Sequence, residues 1–104
     1  MPTNNELYNE AERLKEAGNL VDAAAKLEEL VAQDGHYALA HSALAVIYGR
    51  LGRHDDAIRH GLAVCQLEPS DPFSFTAMSV TYQRAGRIPE AEEAMFRART
   101  MQGR

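Results

Sequence analysis

The chain has 104 residues, 45% hydrophobic and 25% charged, which is globular composition with room for one domain and one modest core. Its 11 basic residues are scattered among 15 acidic ones for a net charge of −4, which argues against nucleic acid as a partner. A soluble cytoplasmic protein with no membrane partner is expected, because no apolar run reaches the length of a span, residues 1–6 lack the order of a secretory signal, and the lone Cys65 has no partner for an internal disulfide.

Taken in chain order, the apolar residues recur at helical spacing. Leu7, Ala11, Leu14 and Ala17 mark a first helix, and Ala23, Leu27, Leu30 and Val31 a second. After the breaker Asp34-Gly35, the residues Leu44, Ala45, Tyr48 and Leu51 mark a third, and Ala57, Ile58, Leu62, Val64, Cys65 and Leu67 a fourth. Pro69-Ser70-Asp71-Pro72 then interrupts the pattern, with Asp71 placed to cap the helix that Pro72 opens. Met78, Tyr82 and Ala85 predict the fifth helix, and Ala91, Ala94, Met95 and Ala98 the sixth. Gly18, Gly52 and Gly86 stand where the odd-numbered helices must stop, because a left-handed residue closes the last turn and glycine adopts that conformation without steric penalty. The connections within each pair are short, so paired helices run antiparallel, and Asp22, Asp55, Asp56 and Glu90 fall near the positive ends of the second helices.

A shift of 34 residues superposes the three glycines and also Ala23, Ala57 and Ala91. In the same register Ala11 meets Ala45 and Ser79, while Leu14 meets Tyr48 and Tyr82, so small positions stay small and large ones large. Periods of about 4–37, 38–71 and 72–104 cover nearly the whole chain and are expected to form one domain over 1–104. The small residues allow close approach of helices, where a leucine would force them apart.

This pattern resembles the tetratricopeptide repeat, in its glycine stop, its alanine in the second helix, its aromatic at Tyr48 and Tyr82 and its proline at Pro69. It departs at Gly35, where the family prefers proline, at the bulky Leu30 and Val64, and in having no tryptophan in the first helices. The resemblance implies an all-α superhelix of three antiparallel helix-turn-helix repeats, without catalysis, whose first helices line a concave groove for a peptide or partner helix. The groove positions it implies include Tyr8, Leu39, Val46, Arg50, Phe73, Val80 and Arg84. The polar residues with which some relatives clamp a C-terminal carboxylate are replaced here by Tyr8, Glu12, Ala43, Phe73 and Ala77, so that mode of binding is not expected. An apolar segment carrying an acidic group is expected instead, with Arg50 and Arg84 at the edge. Packing of Leu39, Val46, Phe73 and Val80 between neighbouring first helices is the competing expectation.

A stack of repeats exposes the flank of its last helix. Met95, Phe96 and Met101 are therefore candidates for contact with a second copy, with a frayed end or a longer array as alternatives. No chemistry, metal or cofactor is expected. His36, His41, His54 and His60 never recur at the three or four residue spacing of ligands on one helix face, and Cys65 falls mid-helix at an apolar position where a buried, inert thiol is the commoner outcome. His54-Asp55-Asp56 is explained by its place at a helix start.

Overall fold

The computed structural model describes residues 1–103 and contains six helices, α1 (Asn4–Glu16), α2 (Leu20–Gln33), α3 (Ala38–Arg50), α4 (His54–Leu67), α5 (Pro72–Arg84) and α6 (Ile88–Gln102). They form three antiparallel hairpins stacked side by side into a helical solenoid with extents of 42 × 26 × 20 Å.

Local chemistry fixes the ends. The Thr3 hydroxyl accepts from the Glu6 amide at 3.1 Å while the Glu6 carboxylate accepts from the Thr3 amide at 3.0 Å, a reciprocal cap that starts α1. The Asp71 carboxylate accepts from the Phe73 amide at 3.0 Å and starts α5, as its place before Pro72 predicts. Gly18, Gly52 and Gly86 have φ of 85°, 76° and 76° and close α1, α3 and α5 in one way. The residue after each glycine donates its amide to the carbonyl of Leu14, Tyr48 or Tyr82, at 2.8 Å in every case, so carbonyls otherwise orphaned at the helix end are satisfied within the turn.

Two apolar clusters form the core. The first joins Leu7, Leu27, Leu30, Leu44, Ile47 and Tyr48 with the small residues Ala11, Ala23, Ala40 and Ala57, and so spans α1 to α4. The second joins Cys65, Phe75, Met78, Ala94 and Ala98 across α4 to α6. Ala23, Ala57 and Ala91 are buried where the hairpins close, and the Ser79 hydroxyl, buried at the equivalent of Ala11, donates to the Ala91 carbonyl at 2.8 Å. Gly61 in mid-α4 belongs to the same economy of space, since a Cβ there would lie 2.6 Å from Met78 Sδ. None of the described helices is long and apolar enough to cross a membrane.

Candidate functional site

Helix α3 is apolar on two faces. Ala40, Leu44, Ile47 and Tyr48 enter the core, yet Leu39 and Val46, seven residues apart and therefore on one side of the helix, are 59% and 42% exposed. Helix α5 repeats this: Phe75 and Met78 are buried, while Phe73 and Val80 are 71% and 40% exposed. Leu39 and Phe73 are the more exposed of the four, and Val46 and Val80 the less. They stand on the outer faces of the first helices of the second and third units, which touch each other directly.

Between the two faces lies an open cavity of about 310 Å³. Val46 and Gly49 of α3 form one wall and Ala77, Val80 and Arg84 of α5 the other, with Gly61 and Val64 of α4 at the floor. Leu39 and Phe73 lie about two helical turns, roughly 10 Å, nearer the helix starts than Val46 and Val80. Arg50 is exposed one turn beyond Val46 and does not line the cavity. Arg13, Lys15, Lys26, Arg53, Arg59 and Arg87 all pair with nearby carboxylates, whereas no described carboxylate lies within 4.0 Å of Arg50, Arg84, Arg97 or Arg99. Two of these guanidinium groups, Arg50 and Arg84, stand at the ends of α3 and α5 in a chain of net charge −4. Tyr8 stands apart from the cavity. It is half-buried against Tyr37, with ring centroids 6.0 Å apart, and burial pushes its hydroxyl pKa above the usual value.

On α6 the three candidate contact residues divide. Phe96 is 71% exposed, whereas Met95 and Met101 are half-buried and Met101 packs on the second core cluster. Phe96 and Met101 border a surface hollow of about 560 Å³ with Pro69, Arg97 and Thr100.

A polar cluster that sequence spacing hides is buried at the junction of the first two units. His41 Nδ1 lies 2.9 Å from His60 Nδ1, and His41 Nε2 lies 2.9 Å from the Gly35 carbonyl. The carbonyl can only accept, so His41 carries its proton on Nε2 and accepts at Nδ1 from His60. A neutral His60 then has no proton for Nε2, which faces Glu28 Oε1 at 3.4 Å and makes no hydrogen bond. Tyr48 donates to the other oxygen of Glu28 at 2.7 Å, and burial with this carboxylate pushes the phenol up to about 12. The described residues hold no group of three or more histidine, cysteine or carboxylate side chains that could take a metal. Cys65 is buried with Sγ 3.6 Å from the Ser74 carbonyl, and burial raises its pKa, which disfavours the nucleophilic thiolate.

Residues 38–60 match the family model for the tetratricopeptide repeat. No curated protein matches the chain. Among solved structures, the fold is similar to MamA, at TM-score 0.88 and 20% identity over 97% of this chain and 59% of that one. It is also similar to YrrB, described as a TPR protein with an unusual peptide-binding site, at TM-score 0.87 and 20% identity over 99% of this chain and 53% of that one. The Yersinia enterocolitica type III secretion translocator chaperone SycD, in an alternative dimer, aligns at TM-score 0.84 and 21% identity over 95% of this chain and 75% of that one. The chain therefore spans little more than half the length of MamA and YrrB.

Proposed function

From a chain that folds as a tetratricopeptide-repeat array and carries that family's sequence in its central unit, we infer a non-enzymatic scaffold that binds a partner segment across α3 and α5. The observation that carries this reading is the exposure of Leu39, Val46, Phe73 and Val80 on two adjacent helices, flanking an open cavity beside the unpaired Arg50 and Arg84. Apolar side chains with nothing over them supply binding energy when covered, and uncompensated cations select the sign of what covers them. The partner is accordingly a peptide or helix with apolar anchors and an acidic side chain. YrrB, a structural neighbour described by its peptide-binding site, lends the reading support.

Selection of peptides from a randomised library displayed on phage tests it. Peptides that bind the wild-type protein lose about tenfold or more in affinity on Phe73→Ala, which removes an exposed aromatic anchor, and on Arg84→Glu, which reverses the charge. Binding unaffected by either substitution would remove the groove from the account. A second reading, self-association through α6, draws on the exposure of Phe96 beside the hollow between α6 and the α4–α5 connection, and the state of assembly in solution decides it.

A further inference from the structure

The cavity between α3 and α5 is lined by two helical glycines, Gly61 in mid-α4 and Gly49 in the last turn of α3, and steric crowding accounts for only the first. Glycine in a helix interior is a poor choice, because it surrenders more backbone freedom than alanine and adds no packing. At Gly61 the reason is steric, since a Cβ would stand 2.6 Å from Met78 Sδ. At Gly49 there is no such reason. A Cβ there would meet only the Arg84 side chain, 3.7 Å from Nη1 and 3.8 Å from Cδ, which is ordinary contact. Its φ is not in the left-handed region either, for the positive-φ glycines are Gly18, Gly52 and Gly86. Alanine would fit at 49 and favour α3. What Gly49 does provide is the missing wall of the cavity and a bare stretch of helix across which the Arg84 chain lies.

We propose that Gly49 and Arg84 form a specificity socket within the groove: the cavity takes one large apolar side chain of the partner, Gly49 leaves the room for it, and Arg84 binds an aspartate or glutamate carboxylate beside it. The proposal rests on the groove reading and sharpens it to one subsite. The open cavity of about 310 Å³ has room for a large side chain, the walls at Val46, Val64, Ala77 and Val80 are apolar, and among the described residues no carboxylate lies within 4.0 Å of Arg84 at the rim. The occupant is an internal segment. Leu39 and Phe73 continue the apolar surface on one side of the cavity and Arg50 lies beyond it on the other, so the bound chain runs past the socket in both directions.

The probe is a library of 12-residue peptides fused at the N-terminus of a phage coat protein, so that no displayed peptide has a free carboxyl end. Recovered peptides are expected to share a large apolar residue within two positions of an acidic one. Gly49→Ala raises Tm by a few degrees and yet weakens these peptides several-fold, and Gly49→Leu weakens them by about tenfold or more. Opposite signs on stability and binding are what a merely structural glycine would not show. Exchanging the peptide's acid for its amide and Arg84 for glutamine gives losses that are not additive. Peptides that depend on Phe73 but bind Gly49→Leu as well as wild type overturn the socket and leave the groove standing. Failure to recover any peptide overturns both.

Discussion

Three contacts of the buried imidazoles ask for three N–H groups, and two neutral rings supply two. That count explains why His60 Nε2, in a side chain only 3% exposed, is left without a hydrogen bond at the face of Glu28. Burial lowers the proton affinity of His60 below its ordinary value of 6.5, the nearby Glu28 carboxylate opposing this, with Arg59 and His41 acting in the same direction as burial and Asp56 against it. The unfolded chain then holds the proton more tightly than the folded one, so acidification through about pH 6.5 favours unfolding until the folded-state value is passed. Thermal melts between pH 8 and pH 5 are expected to show Tm falling with pH, more steeply for wild type than for His60→Gln, and equal slopes would contradict the assignment. None of this was legible in the sequence. Residues 41 and 60 are separated by a whole interhelix turn, and their meeting depends on how α3 and α4 pack, not on any spacing along one helix. Gly49 and Arg84 are likewise far apart in sequence, and only Arg84 of the two was singled out among the groove positions that the family resemblance implied.

Helix boundaries were far more legible than contacts, because they rest on chemistry within a few residues. The glycine stops were read from position alone, and the structure adds the reason they recur, a pair of amide-to-carbonyl bonds closing each turn. Acidic residues near the starts of α2, α4 and α6 were also visible, but the cap positions themselves are Asn19, Arg53 and Arg87, which make no side-chain cap. Close packing within hairpins follows from the small residues of the repeat. Ala57 is fully buried in the first core cluster, and Ala57→Leu is expected to overpack α4 and destabilise the fold by about 1–3 kcal/mol, read as a lowered Tm. An unchanged melt would mean that the helices have slack the buried alanine does not suggest. The division of apolar residues between the two faces of α3 could not be decided from periodicity, since Leu39 and Val46 fit equally a helix packed on both sides and one awaiting a partner. Their exposure, 59% and 42%, is what the proposed groove rests on.

At the scale of the molecule, the 34-residue shift showed the architecture because every repeat solves the same packing problem with nearest neighbours. Surfaces that neighbours do not cover are harder to read. The sequence grouped Met95, Phe96 and Met101 as one flank, whereas packing leaves only Phe96 among them strongly exposed. If this surface pairs two copies, sedimentation across a concentration series shows a dimer that Phe96→Glu dissociates, while a monomer at every concentration leaves α3 and α5 as the working surface. The core, too, is divided, with one cluster over α1 to α4 and a smaller cluster over α4 to α6. The cavity lies across that division, walled by α3 on one side and α5 on the other. A segment lodged there clamps the last hairpin to the rest of the array, so occupancy protects α5 and α6 from local opening, and by the same linkage whatever loosens the last hairpin releases the partner.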